Sequence, residues 1–454
     1  MATSPEKVNT YIKTLGCKVN SYDSAMLEKE FEKNGHTIVS KPEDAELLVI
    51  NSCSVTATAE KETRYLLRKY KRENPKAYRV VTGCYAQINS GELEDLATPH
   101  YIVPNEQKSN LVSLVSEAFK KKEDHSLLPE SVKAVTANKQ SQFKLEKVLF
   151  GSHKISRTRA YIKVQDGCNN FCAYCQIPYA RGSSKSVPSD EILKQIEDLT
   201  ADGIQEVILT GIDIGDYGID LKDDKKEESI SFEALIAKIL KATGLERIRI
   251  SSMEPLNMTE GFLKILSRHK NIFCEHFHLP LQSGSKRILT LMARSYTKEF
   301  YKDACLRIRK YFPDALISAD IIPGFPGETE EEFEESLQFV KDCQLGSLHV
   351  FPYSKRPNTR AMRMPGHLEQ KLIKERAKIL REVGEELETS FAESFIGKPL
   401  DVLWEGAKET RLIGKSRNYL SVLFSGSYKP ESGTITRVTP TSYDKEKKLL
   451  VVEK

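Results

Sequence analysis

The sequence predicts an α/β chain in three parts: an amino-terminal open parallel α/β sheet domain, a central partial (β/α)6 barrel and a small all-β barrel at the carboxyl end. Three observations predict it. Near the start, Tyr11–Cys17, Leu47–Cys53 and Arg79–Cys84 each run a short apolar strand into a small residue and then cysteine. The cysteines are 36 and 31 residues apart, which suits a strand–helix–strand crossover. The middle repeats strand then helix six times, the rhythm of a β/α barrel. After Gly397-Lys398-Pro399 the chain changes to short alternating stretches with turn residues between them.

The elements follow in order. Helical periodicity covers Asp23 to Asn34 and Ala59 to Glu73, with Gly35 and Pro75 as stops. In an open parallel sheet, ligands bind beyond the carboxyl ends of the strands, where all three cysteines would lie. Barrel strands are expected at Tyr161–Val164, Glu206–Leu209, Arg247–Ile250, His276–Leu279, Ile317–Ile321 and Ser347–Phe351. Thr329 and Glu332 form a capping box ahead of Phe333. A helical stripe from Leu368 to Phe391 leads to tail strands at Asp401–Trp404, Tyr419–Phe424 and Thr434–Val438. At 454 residues the chain has room for about three domains of roughly 150 residues. The expected boundaries are 1–120, a linker over 121–155, 156–385 and 390–454.

With 39% hydrophobic and 29% charged residues, the composition excludes wholesale disorder. No apolar run approaches the ~18–20 residues that span a bilayer. The first residues, Met1-Ala2-Thr3-Ser4-Pro5, have no apolar core like that of a signal peptide, so a cytoplasmic location is expected. Net charge is +4, too mild to identify a polyanionic partner, although the segment from Phe391 onward carries 11 Lys/Arg against 8 Asp/Glu.

Nine cysteines in a reducing compartment point to metal or redox chemistry rather than disulfides, and six fall into two patterned sets. Cys168-Asn-Asn-Phe-Cys172-Ala-Tyr-Cys175 places three thiolates within eight residues, directly after the first barrel strand. Thiolates hold iron–sulfur clusters, and three rather than four leave one iron open to a small ligand. A structural zinc, which is usually closed by four ligands, is the alternative, with a His or Cys from elsewhere as the fourth. For Cys17, Cys53 and Cys84 the alternative is a buried or redox-active thiol set.

The stretch Gln165-Asp-Gly-Cys-Asn-Asn-Phe-Cys-Ala-Tyr-Cys-Gln-Ile-Pro-Tyr-Ala-Arg-Gly182 resembles the cluster-binding loop of radical S-adenosylmethionine enzymes, in the methylthiotransferase branch. The resemblance extends to Leu209-Thr-Gly-Ile-Asp-Ile-Gly215, Ile250-Ser-Ser-Met-Glu-Pro255, His278-Leu-Pro-Leu-Gln-Ser-Gly-Ser285 and Asp320-Ile-Ile-Pro-Gly-Phe-Pro-Gly-Glu328. Pro323 departs from the aliphatic residue of the family pattern. The tail is similar to a TRAM domain, a small RNA-binding barrel.

The resemblance implies that Cys168, Cys172 and Cys175 hold a [4Fe–4S] cluster whose open iron chelates S-adenosylmethionine. One electron would then cleave the sulfonium to give a 5′-deoxyadenosyl radical. Gly211, Ile212, Asp213 and Ile214 match the loop lining the methionine end of the cofactor, and Tyr174, Glu254, Gln282 and Asp320 are further pocket candidates. Cys17, Cys53 and Cys84 match the ligands of a second [4Fe–4S] cluster, whose open iron would carry the sulfur to be inserted. The resemblance also implies a sulfur donor, and an electron donor such as a flavodoxin or ferredoxin.

Leu15-Gly-Cys-Lys-Val-Asn-Ser-Tyr-Asp-Ser24 and Asn51-Ser-Cys-Ser-Val-Thr-Ala-Thr-Ala-Glu60 resemble the branch acting on N6-threonylcarbamoyladenosine at position 37 of tRNA. Two other acceptors stand as alternatives: isopentenyladenosine in tRNA and a ribosomal-protein aspartate. A zinc-stabilised RNA-binding protein is the alternative outside enzymes. An anticodon loop suits the resemblance, because exposed loop bases can be splayed into a pocket. Arg411, Lys415, Arg417 and Tyr419 form a candidate RNA-contact strip for phosphates, with ordinary surface charge as the other reading. His276 and His278 share a strand face and are expected as packing or pocket residues. Cys274, Cys305 and Cys343 lack ligand spacing and read as buried thiols. Gly211, Gly215 and Gly218 do not make a dinucleotide fingerprint.

Overall fold

The computed structural model describes residues 7–97, 99–120, 153–154, 158–221, 230–242, 244–408, 411–426 and 430–453. Of the linker expected over 121–155, all but His153 and Lys154 lies outside the described residues. The chain forms two compact units, one of residues 1–153, 165–171 and 175–187 and the other of 154–164, 172–174 and 188–454.

The first unit opens with β1 (Asn9–Thr14), α1 (Lys18–Lys33), β2 (Thr37–Ile38), β3 (Leu47–Ser52), α2 (Ala57–Glu73) and β4 (Tyr78–Gly83). It continues through α3 (Cys84–Ile88), α4 (Ser90–Ala97), β5 (Tyr101–Pro104) and α5 (Leu111–Lys120). All strand pairs are parallel, in the order β2-β1-β3-β4-β5. Every residue of β3 and β4 is buried, as a strand covered on both faces requires. Leu66, Leu67 and Tyr70 of α2 pack with Leu93 of α4 on Leu48, Ile50 and Val81. Leu27 and Phe31 of α1 pack with Val112 and Val115 of α5 on Leu47, Val49 and Val80. The predicted open parallel sheet is present, and both expected helices start earlier than their periodicity suggested.

The short β6 (His153–Lys154) precedes β7 (Arg159–Lys163); then come β8 (Gln165–Asp166), α6 (Ile177–Arg181) and β9 (Lys185–Ser186). The barrel strands of the second unit are β7, β10 (Glu206–Thr210), β11 (Arg247–Ile250), β12 (His276–His278), β13 (Leu316–Ile321) and β14 (Ser347–Val350). Helices α7 (Ser189–Ala201), α8 (Phe232–Ala242), α9 (Glu260–Ser267), α10 (Lys286–Leu291), α11 (Lys298–Tyr311) and α12 (Glu330–Asp342) lie between them. The strands pair in parallel as β7-β10-β11 and β12-β13-β14, and Ile248↔Phe273 and Ser252↔His278 bridge the two groups. This is the predicted six-stranded partial barrel, with every strand within two residues of its expected position. β13 ends at Ile321, so Pro323 removes no ladder bond.

The capping box is formed: Thr329 accepts from the Glu332 N–H, and Glu332 accepts from the Thr329 N–H. Thr329→Ala is expected to lower stability by about 1 kcal/mol, measured by chemical denaturation.

The long α13 (Gln370–Glu393) packs on β14, where Gly384 meets Leu348. It leads to β15 (Leu400–Lys408), β16 (Arg411–Ser416), β17 (Ser421–Phe424), β18 (Ile435–Val438), β19 (Ser442–Asp444) and β20 (Leu449–Val452). They form one sheet in the order β18-β15-β16-β17-β20-β19. Buried Trp404 centres its core, edge-on to Phe424, with Nε1 donating to Thr436 Oγ1 at 2.6 Å. β16, β19 and β20 went unpredicted: polar residues and Gly414 break the pattern of β16, β19 is only three residues long, and β20 is a four-residue apolar run without alternation.

This sheet is joined to the amino-terminal ends of the barrel strands. Arg159 makes a two-pronged bond to Glu405 at 2.7 and 2.9 Å. Arg249 grips buried Glu206 at 3.0 and 3.1 Å and also donates to the Ser416 and Arg417 carbonyls. Arg247 donates to the Lys415 and Asp401 carbonyls. Five arginine and glutamate side chains thus share one joint.

Candidate cluster sites and cofactor rim

In the first unit, parallel pairing places Cys17, Cys53 and Cys84 just past the carboxyl ends of β1, β3 and β4, the three central strands. Two glycines permit this approach. A Cβ on Gly16 would stand 2.4 Å from Cys53 Sγ, and one on Gly83 would stand 2.2 Å from the Ser52 carbonyl oxygen. Both glycines have φ above +90°, which a side chain would oppose. Cys53 and Cys84 are buried, whereas Cys17 belongs to an exposed turn.

Burial pushes the Cys53 thiol up to about 12, and Cys84 beside it adds to the shift. Although residues 16–18 are exposed, the packing around the sulfur also raises the Cys17 thiol by desolvation, against the pull of the Arg181 guanidinium. Thiols held neutral in this way ionise when a bound metal centre supplies the compensating charge. Three thiolates without a fourth protein ligand suit a sulfur-ligated cluster with one open iron better than a structural zinc, which is usually closed by four ligands.

A buried polar network fixes these loops. Asn20 donates to the Leu15 and Ser52 carbonyls, both at 2.9 Å, and Asn51 donates to the Asn20 carbonyl at 2.9 Å. Buried Lys108 reaches Asp23 at 3.1 Å and Asn51 Oδ1 at 3.2 Å. Arg181 takes Asp166 with one nitrogen, 2.9 Å from each oxygen, and Asn20 and Asp23 with the other at 2.8 and 3.1 Å. Burial opposes the charge on both cations. It lowers the Lys108 pKa, whereas Asp166, Cys84 and Asp23 outweigh it at Arg181 and hold that group well above its usual value. Arg181 thus ties the chain just before Cys168 to the helix just after Cys17. The sequence reading missed Asn20, Asp23, Lys108 and Arg181 as a set. The signal was present in the Cys-Lys-Val-Asn stretch, but pairing it with residue 181 required the fold.

The C-x3-C-x2-C loop is divided between the units: Cys168 and Cys175 group with the first, and Cys172–Tyr174 with the second. In the first, Cys168 N–H donates to the Gly182 carbonyl at 3.1 Å, and Cys175 Sγ accepts from the Ile177 N–H at 3.4 Å. In the second, Ala173 bonds the Met292 carbonyl at 2.9 Å and accepts from the Ala361 N–H at 2.8 Å. Tyr174 packs on a core that includes Ile288, Met292 and Phe325. Arg294 donates to Cys172 Sγ at 3.1 Å, to Tyr296 at 3.2 Å and to Glu254. It places a fixed cation beside that sulfur, a contact with no sequence signal.

The other predicted cofactor residues lie along one rim, at the carboxyl ends of the barrel strands. Gly211–Ile214 follow β10, with Asp213 and Ile214 buried. Glu254 follows β11 and is engaged by Arg294. Gln282 is buried with φ 68°, a conformation that non-glycine residues adopt chiefly where the surroundings impose it. Its N–H donates to the Asp320 carbonyl at 2.7 Å. The Asp320 carboxylate is taken up by His278 and His349, both at 3.2 Å.

The expected RNA strip is not presented as a free basic face. Arg417 donates to the Lys270, Asn271 and Phe273 carbonyls. Lys415 donates to Ser421 Oγ at 2.6 Å, and burial lowers its pKa. Tyr419 stacks on His276 at 4.6 Å, with the cations of Arg249 and Lys415 over its ring. These three side chains build the joint to the barrel, because strand pairing turns that edge of the sheet inward. Arg411 begins β16, and its side chain lies outside the described set. His276 serves packing, as expected, and Cys274, Cys305 and Cys343 are buried.

Two family descriptions match the chain: the radical SAM superfamily over residues 162–340 and the uncharacterized protein family UPF0004 over residues 9–104. The chain is 37% identical to the threonylcarbamoyladenosine tRNA methylthiotransferase MtaB of Aquifex aeolicus, over 94% of this chain and 98% of the relative. It is 35% identical to MtaB of Bacillus subtilis, over 91% of this chain and 90% of the relative. It is 33% identical to the tRNA-2-methylthio-N(6)-dimethylallyladenosine synthase of Moorella thermoacetica, over 94% of each. Among solved structures, the radical S-adenosylmethionine methyltransferase TsrM of Kitasatospora setae superposes with a TM-score of 0.57 at 14% identity, covering 78% of this chain and 74% of that one. That likeness concerns the fold. Similarity to the enzymes extends through both matched regions and the tail, and the chain belongs to the radical S-adenosylmethionine methylthiotransferase family.

Proposed function

We propose that this protein adds a methylthio group to carbon 2 of N6-threonylcarbamoyladenosine at position 37 of tRNA. The observation that carries the reading is likeness along more than nine-tenths of the chain to relatives named for that substrate, together with two sets of three cysteines at strand ends. Cys168, Cys172 and Cys175 would hold one [4Fe–4S] cluster and Cys17, Cys53 and Cys84 the other. When bound, the clusters and S-adenosylmethionine supply the radical and the sulfur that an unactivated aromatic C–H requires.

The chain's own residues do the positioning. Asn20 and Asn51 lock the cysteine turns to each other through backbone carbonyls. Arg294, braced by Glu254, holds a cation beside Cys172. Gly211–Ile214, Tyr174, Gln282 and Asp320 are proposed to line the cofactor rim, which sits where parallel strands end and ligands bind. The tRNA anticodon stem-loop is the proposed partner, with a flavodoxin- or ferredoxin-like reductant and a separate sulfur donor. Among the described residues, no helix is long and apolar enough to cross a membrane.

Mass spectrometry of tRNA nucleosides from cells lacking this protein tests the assignment. The expected result is loss of the methylthio derivative of threonylcarbamoyladenosine and its return on complementation. Retention of that derivative with loss of methylthio-isopentenyladenosine would move the substrate to the other branch.

A further inference from the structure

Three side chains of the barrel rim form a group whose joint role the cofactor assignment leaves unused. His278 on β12, Asp320 on β13 and His349 on β14 stand on adjacent parallel strands, with His278 opposite Ser318 and Asp320 opposite His349. Their ligand atoms all lie within 4.8 Å of one another. His278 Nε2 is 3.2 Å from one Asp320 oxygen and His349 Nδ1 is 3.2 Å from the other. The imidazoles stack at 5.2 Å, and His278 Nδ1 is 2.8 Å from Ser318 Oγ. Side-chain exposure rises along the series, from 13% at His278 and 24% at Asp320 to 55% at His349. His278 is thus saturated by Ser318 and Asp320, whereas His349 commits one ring nitrogen to Asp320 and offers the other to the open side of the rim.

We infer that His349, oriented by Asp320 and backed by His278, binds the amino-acid carboxylate of the threonylcarbamoyl group and so selects that base. This rests on the proposed substrate. Burial opposes the charge on Asp320, but hydrogen bonds and charge from the two histidines outweigh it and hold the carboxylate well below its usual range. One carboxylate faces two imidazoles, so when both are protonated one positive charge is left uncompensated. An incoming carboxylate completes the balance through a charge-assisted bond. A dimethylallyl group offers no anion and leaves that cation unmatched, which a site built for a polar group penalises. The charged groups facing His349 are Asp320 and His278; α13 packs on the opposite face of β14, against Leu348. Two histidines and a carboxylate are also a ligand set for a divalent cation, so the test includes that outcome.

The test uses the full chain and two synthetic anticodon stem-loops, one with threonylcarbamoyladenosine and one with plain adenosine at position 37. His349→Ala is expected to weaken binding of the first RNA by roughly 10- to 100-fold and leave the second within about twofold. His349→Lys, which keeps a cation at that position, should restore the preference. Equal losses for both RNAs, or none, would overturn the inference. So would a stoichiometric Mn2+ EPR signal that His349→Ala abolishes, with an RNA preference that chelator removes; this would make the triad a cation site. If the wild-type enzyme bound the modified RNA with the expected preference but did not methylthiolate it, the substrate reading would fall while the carboxylate site stood. Methylthiolation with an unchanged KM in His349→Ala would sink the carboxylate site alone.

Discussion

Changing Cys17, Cys53 and Cys84 together to alanine is expected to halve the iron bound after anaerobic reconstitution, from about eight to about four per chain. It should also abolish the methylthio product. The three thiols end adjacent parallel strands, two of them buried. Burial pushes the Cys53 thiol up to about 12, so without a metal centre it is a poor candidate for a redox thiol. Iron, acid-labile sulfide and zinc should be measured on the same samples. Iron unchanged in the variant would remove the second cluster from the mechanism. One zinc with negligible iron in the wild-type chain would remove the radical chemistry and leave the RNA-binding alternative.

Arg181→Met is expected to destabilise the first unit by about 3–5 kcal/mol, because removing one member of a buried ion network leaves carboxylate charge that the remaining members under-compensate. Asp23 and Asp166 both depend on this guanidinium, and both it and Asp23 are almost wholly buried. Lys108 still pairs with Asp23 at 3.1 Å, so the loss falls short of stripping that carboxylate of every cation. Arg181→Lys should recover only part of the loss, since an ammonium cannot bond Asp166 with one nitrogen and Asn20 and Asp23 with another. Urea denaturation of the three proteins, with an unchanged slope, would give the differences directly. A loss under about 1 kcal/mol would mean that the network is solvated in solution.

The amino-terminal sheet was legible because β3 and β4 are buried runs leading into cysteine, and the barrel because short strands and helices alternate with turn signals between them. β11 was placed to the residue, as Arg247–Ile250, and the capping box at Thr329 and Glu332 is present. The tail was harder to read. Three of its six strands are too short or too irregular in pattern to stand out. Lys415, Arg417 and Tyr419 show the limit most clearly, since a basic residue written in sequence carries no mark of the direction it faces. Here the β16–β17 edge meets the barrel's underside, where Arg417 donates to barrel carbonyls and Lys415 to Ser421 Oγ.

The sequence by itself determined the parallel α/β architecture and the two cysteine sets, because those reside in local spacing and periodicity, and it pointed to the family through the resemblance of its motifs. Only the tertiary structure decided that Arg181 bonds Asp23 across 158 positions, that Arg294 reaches Cys172 across 122, and that His278, Asp320 and His349 meet. Side chains distant along the chain become neighbours only when parallel strands bring their carboxyl ends to one rim, and no local pattern encodes that meeting.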